Sequence, residues 1–521
     1  MKVKLSTHHQ LLIFCLGLHV LLYFTPFRFQ VNDDVLMMWL VNGAYTGEVE
    51  YYAVFIHPIL SGLLASLYTI SSSVEWYVLA WFAVMMLASY EWMKLVFANF
   101  KDNGHRLFWS CIFLAYHIHH VYFLQFTAVA GIAAFVGTIG IISNLKHVGQ
   151  QNSLGGYYFL IIAAVLIRAD SFLFVLFGWL IYWLVFEDFR KILNIINQHR
   201  SLLLVLILLI SVHSGFRFSL KYGAFEKFNK ARAGVIDHPF FQFTDPDKED
   251  PSQLKWVYFK EWLFEKSDVP TIQELKAKRS ELHKGFLSSD FARAFGERIF
   301  LRMKYEYYKS FFLISLLGAI SFLGFRYPKL IIFGFLWGLS YVLFNYFLLL
   351  AGRVQTLFGL IMLGVLFLFH LSKKKNAQTG FFYVVSYLLA TLVMIHSVNV
   401  WVSKSKWERW NRDVYACLAQ VPAGELIFIH GLNAELHHVT YSSQNPIPFS
   451  MLGWISRSPM QHKHFERFGI RSLEEAEKVY LIQSKVDLPS YLPAYLNDFY
   501  GDYTVSNIFS TGKFELLLLQ K

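Results

Sequence analysis

Residues 125–145 read QFTAVAGIAAFVGTIGIISNL, an uncharged run closed by Lys146. Wound as a helix at 1.5 Å per residue, such a run covers about 30 Å, the thickness of a bilayer's hydrocarbon core. Comparable apolar blocks recur at 10–26, 75–96, 107–120, 156–168, 171–186, 201–217, 310–325, 330–351, 355–371 and 380–400. The expectation is a mainly α, polytopic helical membrane protein with about eleven transmembrane helices. Composition agrees: 55% of the 521 residues are hydrophobic and 16% charged, against about 25% charged in a soluble domain. The formal net charge of +11 does not imply nucleic acid, because Lys and Arg cluster beside the apolar blocks, where they orient spans.

Charge fixes the expected sidedness. With the N-terminus inside, the inner loops carry Lys2/Lys4, Lys94/Lys101/Arg106, Lys146, Arg190/Lys191/Arg200, Arg326/Lys329 and Lys373/Lys374/Lys375. The short outer loops carry only Arg28, Arg168 and Arg353. The apolar stretch 54–70, which contains Pro58 and Gly62, is left out, since counting it as a span would put basic loops outside; it is expected at the interface or partway in. The run from Leu11 to Tyr23 lacks a small-x-small cleavage site and is read as a retained first span. The location implied is the cell inner (cytoplasmic) membrane, multi-pass, with the N-terminus cytoplasmic.

Two divisions follow: a membrane module, 1–400, with outer loops 27–74 and 218–309, and an extracytoplasmic α/β domain, 401–521. The latter offers a helix over Trp407–Leu418 and short strands at Leu426–Ile429, Val479–Ile482 and Leu516–Leu519. Helical patterning is also present from Ile272 to Lys284. Cys15, Cys111 and Cys417 form no disulfide framework.

The residues that can carry chemistry fall on the outer face. Asp33 and Asp34 follow the first span and precede a helix expected to lie on the bilayer, an expensive place for two carboxylates. Either is a candidate general base toward an acceptor hydroxyl; equally, Asn32 or Asp33 can simply cap the helix. His57-Pro58 opens the half-inserted apolar helix, with His57 either holding a substrate or serving the fold. Arg168 breaks the charge bias at an outer turn, paired with Asp170 or contacting an anionic headgroup. Arg353 has no acidic neighbour in sequence, so an external phosphate or interfacial snorkelling accounts for it. Tyr116-His117-Ile118-His119-His120 lacks an i, i+4 His pair with a nearby carboxylate, so the sequence supports no divalent metal and no cofactor.

These residues together resemble the GT-C glycosyltransferases: Asp33-Asp34 after the first span, then an apolar helix opening with His57-Pro58. The protein mannosyltransferases and the lipid A aminoarabinose transferases share this layout. More narrowly, Asn32-Asp33-Asp34, Gly43-Ala44-Tyr45-Thr46-Gly47, Trp76-Tyr77 and Gly453-Trp454 before Ser458-Pro459 are similar to uncharacterised bacterial membrane proteins placed near those transferases. The mannosyltransferases carry a second Pro and a Lys where this chain has Ile59-Leu60, so contacts made there do not transfer.

The resemblance implies a polyprenyl-phosphate-sugar donor, Asp33 or Asp34 as base, and Arg353 or Arg168 on the lipid phosphate. The acceptor would be a glycan, lipid or protein, and the work cell-envelope polysaccharide biosynthesis or related glycosylation. Alternatives are a surface-polysaccharide polymerase or ligase, which needs no paired carboxylates, and a flippase or transporter of a lipid-linked saccharide, which usually shows internal repeats and charges deep in its spans. No repeat is present here.

Overall fold

The computed structural model describes residues 6–146, 153–187, 196–302, 327–348, 350–372, 379–430, 441–486 and 488–521; the expected span 310–325 lies outside them. Among the described residues, seven helices are long and apolar enough to cross a bilayer: Trp76–Asn99, Phe126–Asn144, Gly155–Phe186, Arg200–Arg217, Pro328–Leu348, Gly352–Ser372 and Gly380–Leu418. Thr7–Tyr23 is a shorter apolar helix, and Asn103–Tyr122 lies along the last span through Phe108–Phe382 and His119–His396 ring contacts. The chain is a multi-pass membrane protein.

The Phe126–Lys146 helix is the hub of the bundle, with every residue from Phe126 to Ser143 buried. Its small residues admit neighbours at close range. A Cβ on Gly140 would lie 2.3 Å from the Tyr157 ring, and one on Gly131 would lie 2.4 Å from Leu357. Without a hydrophobic drive between helices in lipid, such close backbone approach is what packs them.

The run Gly155–Phe186 is helical except at Arg168, where φ is −159° and ψ 100°. Tyr157 packs on Gly140, and the Trp179 indole donates to Thr138 Oγ1 at 2.7 Å. A straight helix would separate residues 157 and 179 by about 33 Å. The chain therefore reverses at Arg168, giving the two legs that the blocks 156–168 and 171–186 predict.

The turns that carry the candidate residues gather at one end of the bundle. Strand β1 (Arg28–Phe29) after the first helix pairs in parallel with β2 (Phe123–Leu124). The Arg168 guanidinium sits 5.0 Å over the Phe126 ring, and Arg353 reaches Asp33. The Pro58–Ile70 helix, only 13 residues long, extends about 20 Å, too short to span. One expectation changes: the Asn32–Val41 helix does not lie on the bilayer but is enclosed, buried from Asp34 to Val41.

The last span continues without a break to Leu418 as a 40-residue helix, Thr379–Leu418. The expected division at residue 400 falls inside it, and the expected Trp407–Leu418 helix is its far end. Beyond it lies a four-stranded sheet in the order β3 (Ile427–Ile429), β4 (Lys478–Ser484), β6 (Phe514–Gln520), β5 (Thr504–Ser510), with β3 and β4 parallel and the others antiparallel. Trp410 meets Phe514 edge to face at 4.8 Å, docking the helix on the sheet. Earlier on the chain, between the Arg200–Arg217 and Pro328–Leu348 helices, five helices from Gly223 to Arg302 build the large loop, including Ile272–Gly285 with a Thr271/Glu274 capping box.

Gly140→Ala is expected to lower the melting temperature of the detergent-solubilised chain, costing about 1–3 kcal/mol by overpacking. Adding Tyr157→Ala should recover part of that loss. Equal melting of Gly140→Ala and the native chain would contradict the packing described.

Candidate active site

The first loop sets the geometry. Its helix begins at Asn32 behind Val31, which makes no side-chain capping bond. Asn32 and Asp33 are thus not caps. Asp33 and Asp34 lie in the first turn, where backbone N–H groups favour negative charge, and their carboxylates point to different partners.

Asp34 is 0% exposed. Its Oδ1 accepts from Tyr77 Oη at 2.9 Å and from the Phe126 amide at 3.2 Å. Burial pushes its carboxyl up to about 8 against the pull of the Tyr77 hydrogen bond, with the Asp33 charge adding to the rise. Asp33 remains accessible. Trp454 Nε1 donates to its Oδ1 at 3.0 Å, and Arg353 Nη2 lies 3.6 Å from its Oδ2. Asp33 also lines a cavity of about 440 Å³ shared with Trp262, Trp454 and Ser450. Of the pair, Asp33 is placed to meet a substrate and Asp34 to hold the loop.

Arg353, expected either to meet an external phosphate or to snorkel at the interface, already has Asp33 as its partner. The reason is tertiary: the two meet only when the first loop folds over the start of the Gly352–Ser372 helix. Arg168 takes the local partner, with Nη2 3.4 Å from Asp170 Oδ2. Its guanidinium also lies over Phe126 and Phe55, and Phe55 in turn meets Trp454 at 4.7 Å. One aromatic contact chain thus runs from Arg168 to the residue that holds Asp33.

His57 is not open to a ligand. Its Nδ1 accepts from the Ile59 amide at 3.1 Å, and its Nε2 donates to the Leu209 carbonyl at 2.8 Å. Both ring nitrogens serve the fold, as helix cap and as tie to the Arg200–Arg217 helix. His238-Pro239 repeats the device, with His238 Nδ1 accepting from the Phe240 amide at 3.2 Å. The His cluster pairs within the bundle, His117 with His19 at 2.9 Å and His119 with His396 at 3.2 Å. Among the described residues no group of three or more His, Cys, Asp or Glu converges on a metal position.

Two residues that sequence reasoning missed join the site. Asp237 ends the Gly223–Ile236 helix with its side chain exposed, and Arg232, Arg353, Arg168 and Asp33 are the charges that act on it. Five charges from four separate segments therefore share one field. Arg232 is 4% exposed, with Nε and Nη2 fixed on Asn229 Oδ1 and its guanidinium 4.9 Å over the Trp262 ring. Burial lowers it to about 10, opposed by Asp237, Asp33 and Glu226. The available signal was the second His-Pro dipeptide directly after Asp237.

No family model and no curated protein matches the sequence. Solved structures do. The whole chain aligns with ArnT from Cupriavidus metallidurans bound to undecaprenyl phosphate, over 98% of each chain, with a TM-score of 0.52 and 10% identity. The fold is that of ArnT. The apo-state structure of the same protein also matches over 98% of each chain, at 12% identity and a TM-score of 0.41. The expected polytopic helical membrane architecture with a small C-terminal sheet is the one observed. At 10% identity the likeness to ArnT extends to the fold, and the roles of individual residues rest on the geometry above.

Asp34→Asn keeps an acceptor at Oδ1 and places its amide where a neutral carboxyl would hold its proton. With the folded carboxyl raised to about 8 and the unfolded one near 3.9, the native fold holds the extra proton between these values. Stability from this group is therefore full below about pH 4 and falls as pH rises toward 8. The Asn variant should fold and should show a flatter melting temperature across that window. An unchanged slope in thermal scans from pH 4 to 8 would refute the neutral buried state.

Proposed function

We propose that this chain is a membrane glycosyltransferase that moves a sugar from a polyprenyl-phosphate donor to an acceptor on the outer face of the cytoplasmic membrane. The observation that carries the reading is Asp33, accessible at the bundle end and held between Trp454 and Arg353. The ArnT fold supports it, as does the presence of undecaprenyl phosphate in that ArnT structure. The distribution of Lys and Arg among the loops supports this end lying outside and the N-terminus inside, with the sheet-bearing region beyond Leu418 as the extracytoplasmic α/β domain.

The step follows from the charges. The acceptor oxygen attacks the anomeric carbon, its O–H bond breaks, and the proton passes to the Asp33 carboxylate. The bond from the anomeric carbon to the phosphate oxygen breaks, and the polyprenyl phosphate leaves with the electron pair and one more negative charge. Arg353, with Arg168 alongside, meets that growing charge with guanidinium forks suited to phosphate. Asp170 positions Arg168, and Asp34 positions the turn. A protonated leaving group is unnecessary, because the phosphate is a stable anion.

The test uses the full chain in nanodiscs with undecaprenyl phosphate linked to a panel of hexoses and pentoses. Asp33→Asn should cut transfer by about 10²–10⁴-fold, the usual worth of a general base, while Asp34→Asn retains it. Arg353→Ala should raise KM for the lipid donor. Full activity in Asp33→Asn would overturn the assignment.

A further inference from the structure

Among the described residues, the 440 Å³ cavity beside Asp33 has walls from three sources: the start of the first-loop helix, residues 261–263 of the large loop, and residues 428–430, 450–454, 481, 490 and 492. None of these described residues belongs to a membrane-spanning helix. Its volume lies within the range of small-ligand sites, about 300–1,000 Å³. Among the described residues that line it there is no Lys or Arg, and His430 is its one basic side chain. Arg353, which is not among the lining residues, approaches Asp33 Oδ2, whereas Trp454, which lines the cavity, approaches Oδ1. Among the described residues, guanidinium groups therefore meet Asp33 from outside the cavity lining.

Trp262 gives the cavity its character. It is 38% exposed and held at φ +63°, a left-handed conformation that is strained for a bulky residue. The Arg232 guanidinium anchors the ring at 4.9 Å. Gly453 at φ +99° packs beneath it, where a Cβ would lie 3.6 Å from the indole. A strained backbone and a buried cation together present an aromatic surface to the cavity, with Glu261, Ser450 and Ser490 around it. The negative π-face of an indole accepts the C–H edge of a sugar ring, and the surrounding oxygens accept and donate to hydroxyls.

We propose that this cavity is the acceptor subsite, and that its occupant is the hydroxyl-bearing end of a saccharide entering from the aqueous side instead of a lipid arriving through the bilayer. The proposal rests on the transferase reading above, with Asp33 the shared wall between donor and acceptor sides. Trp262 is the positioning residue for that saccharide.

The experiment measures two ligands separately on the full chain in nanodiscs: undecaprenyl phosphate by native mass spectrometry, and a panel of methyl glycosides and short oligosaccharides by saturation-transfer NMR. Trp262→Ala and Trp262→Gly should weaken saccharide binding at least 10-fold and leave undecaprenyl phosphate binding unchanged; Arg353→Ala should do the reverse. Glycine accepts the positive φ, so Trp262→Gly should melt no lower than the native chain, which separates lost stacking from lost folding. If undecaprenyl phosphate binds and no saccharide does, if the Trp262 variants bind saccharide as the native chain does, or if only Ser/Thr peptides bind, the subsite assignment is wrong and the transferase reading stands. If undecaprenyl phosphate fails to bind the native chain, both fall.

Discussion

A carboxyl group cut off from water needs partners for its oxygens, and Asp34 finds donors in the Tyr77 hydroxyl and the Phe126 amide. Those donors head two different helices, so one buried side chain clamps the first loop across Trp76–Asn99 and Phe126–Lys146. Losing either donor would leave a buried acceptor unpaired, which costs more than the hydrogen bond itself contributes. Everything else at this end depends on the clamp, because it fixes the turn from which Asp33 projects.

Adjacent residues on a helix point about 100° apart, so two neighbouring Asp residues cannot share an environment. Asp34 turns inward and Asp33 toward the cavity. The C-terminal region reaches the same turn by several contacts. Tyr45 stacks on His464 at 4.1 Å, Arg467 donates to the Tyr45 carbonyl at 2.6 Å, and Lys463 lies 2.6 Å from both Glu48 and Glu50. Gly43 permits the approach: at φ +80°, a Cβ there would lie 2.8 Å from Ser443. This docking is what delivers Trp454 to Asp33.

The bundle was legible because bilayer thickness imposes a run length that hydropathy displays directly. Even the reversal at Arg168 showed, as a single cation between two apolar blocks. Strands β3, β4 and β6 showed as apolar runs, whereas β5 did not: Thr504–Ser510 is an exposed edge strand with few side chains facing the core. The helix continuing past residue 400 was hidden because the apolar block ends there, and a helix that leaves the bilayer has no hydropathy signal to carry it on. Within the site, Asp33 and Asp34 were visible, but their division of labour was not, since it depends on partners such as Trp454 and Arg353 that lie hundreds of residues away. His57 stayed open in the sequence because a His-Pro pair at a helix start looks the same whether it serves a ligand or a cap.

The unbroken Thr379–Leu418 helix has a mechanical consequence. Its lower half packs among the spans, where Phe382 meets Phe108, and its upper end bears on the sheet, where Trp410 meets Phe514. With no hinge between, lipid end and sheet end move as one lever. A tilt of this rod, the usual response to hydrophobic mismatch, therefore carries the contact with the sheet along with it.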